Sequence, residues 1–368
     1  MLEGRQHGET HDLGMRPADR IGTVRAMSSV AARTSSVDVS LPTSGSVLTW
    51  RRLRADRFAF ACGLFLLFVI AACFLGGPLL AHLLGHGPNT VFPSAVNYNA
   101  KPVGPWSHVS SAYSGASPGK ALLILGGDGP LGRDEFLRLL AGGRTSLEVA
   151  LGATALALVI GTLLGAVAGF YGRGIDVALS RVTEFAMGFP ILFLIVALGF
   201  TIASRLDSVT LGVFVPGALS LIVVIGIFNW FYIARIVRAQ VLTLRNREFV
   251  EAARMTGAGN WRIIRTHLLP HLVGPLTVYG SLVLAGTIIL EAGLSFLNYG
   301  IQDPYASWGN MLSTNWGTIL YPVGSNPEWI TSTWTSVWPA VAIFSFVLAC
   351  ALFAEGLRRA LDPQADRR

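Results

Sequence analysis

Cysteine is scarce in this sequence, which has three among 368 residues: Cys62, Cys73 and Cys350. Cys62 and Cys73 fall in one apolar stretch and would lie about 16 Å apart on a helix, too far for a disulfide bond. None of the three belongs to a Cys-x-x-Cys pair or to a Cys/His spacing typical of zinc ligands. The sequence therefore argues against a disulfide framework and against a bound metal, and we expect the cysteines to pack as small apolar side chains.

Charged residues are also few. They make up 13% of the chain, whereas 52% of it is hydrophobic, so we predict an all-α polytopic membrane protein. A helix crosses the bilayer in about 20 apolar residues. The stretches that are long enough are residues 58–84, 146–170, 177–203, 211–233, 273–297 and 337–357. The pattern predicts six transmembrane helices, and an even number places both termini on one side of the membrane.

One long loop, residues 298–336, has no lysine or arginine, and its only charged residues are Asp303 and Glu328. The arginines cluster before the first span, after the last span and between residues 235 and 265; they are Arg51, Arg52, Arg54, Arg57, Arg235, Arg238, Arg245, Arg247, Arg254, Arg262, Arg265, Arg358 and Arg359. Basic residues are enriched in cytoplasmic loops. We therefore place the 298–336 loop outside and both termini in the cytoplasm. The positive net charge then reflects orientation, and we expect no nucleic-acid partner.

Residues typical of an enzyme are missing. The chain has no nucleophile paired with a base and no phosphate loop. Gly115–Ala121 resembles a phosphate loop, but three residues separate its glycines instead of four, and Ala121 stands where a hydroxyl is needed. We predict a chain without catalytic residues and without a cofactor of its own.

The polar segment Asn246–Pro270 lies between two apolar stretches and has the pattern of two short helices. The residues that fall on one face of the first helix are Phe249, Ala252, Ala253 and Thr256. Gly257-Ala258-Gly259 is expected to end that helix, and Asn260 to cap a second helix over Trp261–Leu269. Pro270 is expected to end the second helix. The alternative is a solvated basic loop that only orients the chain.

This segment resembles the EAA loop of ABC-importer permeases. The matching residues are Glu251, Ala252, Ala253, Gly257, Leu269 and Pro270. His267 stands where the family usually has isoleucine, a variant of its peptide-importer branch. The resemblance implies that residues 246–270, here called the coupling loop, sit in a groove of a separate ATPase.

The resemblance also implies individual roles in the coupling loop. Glu251 would pair with a basic group of the ATPase, and the small Ala252 and Ala253 would let the helix sit deep in the groove. Gly257, followed by Ala258, would form the turn. Trp261 and Ile264 would anchor the second helix against the ends of the chain's own membrane helices.

Two further segments resemble the dipeptide/oligopeptide/nickel permeases. The first covers residues 125–147, where the matching positions are Leu125, Gly126, Asp128, Gly132, Arg133, Asp134, Arg138, Gly142, Arg144, Ser146 and Leu147. It departs from the family at Gly127, at Leu137 and by one inserted residue. The second begins at Glu291 and has Asn298 in place of a glycine. The resemblance runs from Trp50 to Gln364 but leaves residues 85–123 uncovered.

Several membrane residues are candidates for particular roles. Glu291 and Asn298, together with Pro190, which is expected to kink the third span, are candidates for the translocation path. Glu291 has an alternative role, a structural hydrogen bond at the outer end of its helix. Glycines recur every four residues at Gly161, Gly165 and Gly169, and this spacing predicts a flat stripe for helix packing.

The expected organisation follows from these assignments. Residues 1–50 form a disordered cytoplasmic tail and residues 51–84 the first transmembrane helix with its basic inner flank. Residues 85–144 form a long extracytoplasmic loop that ends in an amphipathic helix. Residues 145–361 form a permease core with five transmembrane helices and the coupling loop, and residues 362–368 form a cytoplasmic tail.

The resemblance implies a permease subunit of a type I ABC importer in a bacterial inner membrane. Its implied partners are a second, different permease subunit, two ATPase subunits that bind ATP and magnesium, an extracytoplasmic solute-binding protein, and the surrounding lipids. The implied substrates are dipeptides or oligopeptides, and the alternatives are nickel chelates, glutathione or oligosaccharides. A secondary transporter or channel is the alternative from another class, but we find no inverted repeat.

Overall fold

The computed structural model describes residues 51–96, 102–110, 120–188, 190, 192–193, 195–197, 214–315 and 329–361. The helices of the described part are α1 (Arg57–Leu84), α2 (Glu135–Tyr171), α3 (Arg173–Met187), α4 (Ala218–Leu244), α5 (Glu248–Met255), α6 (Asn260–Phe296), α7 (Trp308–Asn315) and α8 (Trp329–Leu361). Two short hairpins precede α2: β1 (Ser107–Ser110) pairs with β2 (Lys120–Leu123), and β3 (Gly127–Asp128) pairs with β4 (Arg133–Asp134).

Five helices are long and apolar enough to cross a membrane: Arg57–Leu84, Glu135–Tyr171, Ala218–Leu244, Asn260–Phe296 and Trp334–Leu361. These helices confirm the all-α membrane fold. The third predicted span, residues 177–203, lies partly outside the described residues. Within the described part, α3 ends at Met187, and its apolar length is below that of a span.

Helix α2 is longer than the predicted second span because the short amphipathic helix expected before it is continuous with it. Asp134 caps this helix, since its Oδ1 accepts hydrogen bonds from the backbone N–H groups of Phe136 and Leu137 at 2.9 and 3.1 Å. Leu137 is buried. The amphipathic helix expected at the end of the 85–144 loop is therefore the first part of α2, which continues through Gly142 and Gly143, where α7 packs against it.

The glycine stripe of α2 lies against α4. A Cβ added at Gly161 would lie 2.6 Å from the Ile233 Cβ, and one at Gly165 would lie 2.5 Å from the Ala234 carbonyl oxygen. At Gly169 the nearest atom is the Arg238 carbonyl oxygen, at 2.8 Å. These distances are too short for a real side chain, so the two helices approach with backbone almost against backbone.

A set of charges, three of them buried and one half exposed, joins the segment before α2 to the loop after α6 and is here called the outer ionic cluster. It consists of Asp128, Arg133, Arg138 and Asp303. The Arg133 and Arg138 guanidinium groups lie 2.9 and 2.7 Å from the Asp128 carboxylate, and Asp303 approaches them at 3.2 and 3.4 Å. Charges taken out of water need such partners, so the cluster fixes the outer start of α2 to the start of the 298–336 loop.

Candidate coupling site

The coupling loop begins with α5, whose sequence suits a short exposed helix. Glu248 and Glu251 lie in its first turn and Arg254 in its last, which is the distribution of charge that the helix dipole favours. Val250 and Ala253 are buried, whereas Glu251 and Ala252 are exposed. The helix therefore presents one carboxylate and one small side chain outward and holds itself in place with its other face.

The turn after α5 has the hydrogen bonds of a Schellman motif. The Gly257 N–H donates to the Arg254 carbonyl at 2.9 Å, and the Ala258 N–H donates to the Ala253 carbonyl at 3.0 Å. Gly257 has a φ of +81°, in the left-handed region, and a Cβ added there would meet open space. The turn thus needs glycine for its backbone conformation and not for lack of room.

The second helix differs from the expectation in both of its ends. Gly259 precedes the first helical residue, Asn260, which is therefore not the cap. Pro270 does not end the helix, because α6 continues to Phe296. The reason is a π-helical stretch, Ile263–Leu268, after which Pro270 falls in the first turn of renewed α-helix. A missing N–H costs little at that position.

The loop is fixed to the membrane helices by one apolar cluster. Its buried members, here called the inner apolar cluster, are Ala166, Phe170, Ile233, Val237, Val241, Val250, Ala253, Ile263, Ile264, Leu268 and Leu272. They come from α2, α4, α5 and α6. Because cores of this kind are closely packed, the coupling loop and the inner ends of α2 and α4 form one body.

Trp261 does not have the anchoring position that we expected. Its side chain is 56% exposed, whereas Ile263 and Ile264 are buried at 0% and 1%. The expectation was correct for Ile264 and wrong for Trp261, because the helix starts at Asn260 and turns the two isoleucines inward. Trp261 is instead an exposed aromatic side chain on the outer surface of the loop.

Two arginines add polar contacts between the loop and the end of α2. The Arg254 guanidinium lies 5.6 Å from the centre of the Phe170 ring, a cation–π distance. Arg245 donates hydrogen bonds to the Gly169 and Phe170 carbonyls at 3.0 and 3.3 Å. These carbonyls lie in the last turn of α2 and lack helical partners, so Arg245 ties that helix end to the approach of the loop.

The loop carries a concave surface with a volume of about 560 Å³. The residues that line it are Phe249, Ala252, Ala253, Thr256, Gly257, Ala258, Arg262 and His267. Phe249 stacks on His271 with ring centres 4.9 Å apart. The predicted face of the first helix therefore lines a depression with small side chains at its base and basic groups at its rim.

Between α3 and α4, Asp176 accepts two hydrogen bonds from Arg238, one of them 2.8 Å long. The hydrogen bonds from Arg238 lower the pKa of Asp176 below its ordinary value. Neither residue was a site candidate in the sequence. The sequence shows only an aspartate four residues after Gly172 and an arginine in the next helix. That pattern is not specific enough to predict that Asp176 and Arg238 form a pair.

The three candidates for the translocation path lie in different surroundings. Glu291 is fully buried, and its Oε1 accepts a hydrogen bond from Ser295 at 2.8 Å, which favours the structural alternative in this conformation. Asn298 is exposed, with a φ of +62°, a conformation that asparagine tolerates better than most residues. Pro190 is exposed and not helical, and it follows the end of α3 at Met187.

No metal centre is evident in the described ranges, where no three His, Cys, Asp or Glu side chains are grouped as ligands. The arrangement can transmit force from an exposed loop into packed helices.

Comparison with protein families gives two matches. The model for the binding-protein-dependent transport system inner membrane component matches residues 161–367. The model for the N-terminal transmembrane domain of oligopeptide transport permease C matches residues 46–102. Together these matches cover α1 and the helices that carry the coupling loop.

Similar proteins are known from several bacteria. A protein named as a peptide permease in Brucella ovis is 39% identical over 242 residues, which are 66% of this chain and 73% of that protein. The dipeptide transport system permease DppC of Bacillus subtilis is 34% identical over 318 residues, 86% of this chain and 85% of that protein. A solved structure of the methionine ABC transporter MetNI in an inward-facing conformation has a chain that is 19% identical to this one. The matched region covers 60% of this chain and 97% of that chain, with a TM-score of 0.42.

Proposed function

Because the chain belongs to the family of binding-protein-dependent transport system inner membrane components, a permease family of ABC importers, we propose that it imports peptides. Both relatives described above carry peptide or dipeptide transport in their names. The proposal extends that substrate class to this chain. Nickel chelates, glutathione and oligosaccharides remain the alternatives that an experiment must separate from peptides.

The energy is supplied in this proposal by a separate ATPase that binds the coupling loop. The observation that carries the proposal is an exposed loop whose inner side is part of the inner apolar cluster. A force on the loop must then move the inner ends of α2 and α4. In a type I importer, ATP and magnesium bind to the ATPase, and closure of two ATPase subunits brings the loops of two permeases together.

Individual residues have distinct parts in this proposal. Glu251, which is exposed, pairs with a basic group of the ATPase, and Ala252 allows close approach. Gly257 and Ala258 form the turn that holds α5 in position. Trp261, exposed on the same loop, contacts the ATPase, and α6, in which Pro270 lies, continues from the loop into the membrane.

The proposed assembly has the chain paired with a second, homologous permease subunit, and an extracytoplasmic binding protein delivers the solute. The coupling loop and both termini lie in the cytoplasm, and the 298–336 loop lies outside. The outer segment between α1 and α2 is a candidate contact for the binding protein. Support for this orientation comes from the distribution of arginines.

The test is transport by the complete complex, reconstituted in proteoliposomes with its ATPases and binding protein. We expect the complex to transport a labelled dipeptide only when ATP is present on the side of the vesicle membrane where the ATPases are bound. Uptake without nucleotide would favour a secondary transporter. ATP-dependent uptake of nickel chelate or oligosaccharide, with none of peptide, would leave the permease assignment in place and refute the peptide substrate.

A further inference from the structure

Helices α3 and α4 enclose a polar cleft that is separate from the coupling loop. Its volume is about 160 Å³. The polar residues that line it are Ser180, Thr183, Glu184, Arg235 and Arg238, and the apolar ones are Leu179 and Met187. We propose that this polar cleft binds the carboxylate end of the peptide during its passage, with Arg235 as the anion-binding side chain. The inference rests on the proposed function.

The two sides of α3 differ in polarity. Ile175, Val182 and Phe185 project from one side and are 48%, 53% and 72% exposed, as suits lipid or a neighbouring subunit. Ser180, Thr183 and Glu184 lie on the side of the cleft. Ionisable residues inside membrane segments are costly in lipid and line solute paths or pair with each other.

The floor of the cleft is closed by the hydrogen bonds between Asp176 and Arg238. Asp176 precedes Ser180 by one helical turn, so the pair lies at the end of the cleft nearer the coupling loop. Arg238 is therefore occupied. Arg235, one turn away on the same helix, has an exposed guanidinium group that makes no hydrogen bond or ion pair with any residue in the described ranges.

The charges of the cleft fit the carboxylate end of a peptide. A free carboxylate accepts paired hydrogen bonds from a guanidinium group. Arg235 lies on the α4 wall of the cleft, and the half-buried Ser180 lies on the facing α3 wall. Glu184 lines the cleft as well and pairs with Arg181 at 2.9 Å. Because Glu184 is paired with Arg181, the guanidinium group of Arg235 is left as the charge that a single carboxylate would match. At about 160 Å³, the cleft is smaller than a pocket for a whole ligand, so it holds one end.

The test compares a dipeptide, alanyl-phenylalanine, with its C-terminal amide in the reconstituted complex. Arg235→Gln is expected to lower uptake of the free acid about tenfold, as the loss of one charge-assisted hydrogen bond predicts, and to leave uptake of the amide unchanged. Arg235→Lys is expected to retain most of the preference for the acid. The matched control is Arg57→Gln, another exposed arginine of a membrane helix, which should change neither uptake rate.

The ratio of acid uptake to amide uptake is compared between variants. Because every variant is supplied by the same binding protein, the preference of that protein cancels in this comparison. An equal loss for acid and amide would overturn the proposal. So would a loss that occurs only in vesicles containing phosphatidylglycerol, since that result assigns Arg235 to a lipid. If the wild-type complex imports no peptide, the proposed substrate itself is refuted. If the wild type prefers the acid and Arg235→Gln does not alter that preference, only the proposed role of Arg235 is refuted.

A second measurement does not depend on transport. Ser180→Cys is expected to react with a negatively charged methanethiosulfonate reagent added from the ATPase side, and Arg235→Gln should slow this reaction several-fold. The rate with a positively charged reagent should not fall. No reaction with either reagent would show that the cleft is closed to water and would overturn the proposal.

Discussion

The two ends of α2 are held by opposite means. At its first end three charges of the outer ionic cluster are buried, namely Asp128, Arg133 and Arg138, and Asp303 is half exposed. At its inner end the inner apolar cluster is buried, and the charges of the coupling loop, such as Glu251 and Arg254, are exposed. Buried charges fix a geometry because they allow few alternatives. Exposed charges on an apolar base are suited to a partner that arrives and leaves.

The largest expected effect is at the outer end. Arg138→Met removes a guanidinium group from the buried Asp128 carboxylate, so we expect a loss of about 3 kcal/mol in the free energy of unfolding. Arg144→Met is the matched control on the same helix, because Arg144 is 48% exposed, pairs with Glu148 in the turn that follows and otherwise contacts the Phe74 ring at 5.9 Å. It should cost less than about 1 kcal/mol. Thermal unfolding in detergent measures both, and equal losses would contradict the comparison.

The second-largest expected effect concerns two exposed tryptophans, one in the coupling loop and one in the segment before α2. Trp261 of the coupling loop is 56% exposed and Trp106 of the outer segment is 69% exposed. Trp261→Ala is expected to weaken binding of the ATPase about thirtyfold, the loss of a typical interface tryptophan, with little change in stability. Trp106→Ala should leave ATPase binding unaltered. Affinity is measured on the purified permease pair, and the proposal for Trp261 fails if both variants bind alike.

A smaller effect concerns the turn of the coupling loop. Gly257→Val forces a side chain into the left-handed region, which costs about 1–2 kcal/mol and should lower ATP-driven uptake about tenfold while the protein still inserts. Gly259→Val is the control, because a Cβ there also meets open space but no positive φ is required. The expected result is uptake close to wild type for Gly259→Val. Equal uptake by the two variants would show that the turn geometry does not matter for coupling.

The smallest effect is a pH dependence of the pair between α3 and α4. Arg238 lowers the pKa of Asp176 in the folded protein, so the pair stabilises the fold above the unfolded pKa of about 3.9. That contribution is lost as the pH falls through the folded pKa. The difference in melting temperature between wild type and Asp176→Asn should therefore be present at neutral pH and shrink in acid. A difference that grows in acid would contradict this.

Local rules accounted for much of the fold and part of the site. The first span was predicted as residues 58–84 and is Arg57–Leu84, because hydropathy depends on the segment alone. The turn at Gly257 followed from a glycine after a short amphipathic pattern. The continuation of α6 past Pro270 was missed, because a π-helical stretch has no clear pattern in sequence. The exposure of Trp261 was missed because helix phase decides which of several neighbouring apolar residues points inward.

By itself the sequence determined the class of the protein and the position of the coupling turn, since hydropathy and backbone preference act over a few neighbouring residues. Only the tertiary structure joined Asp303 to Arg133 across 170 positions and brought Phe170 under Arg254. It also opened a cleft beside Arg235. Such pairings depend on which helices pack together and at what depth, and no local pattern carries that information.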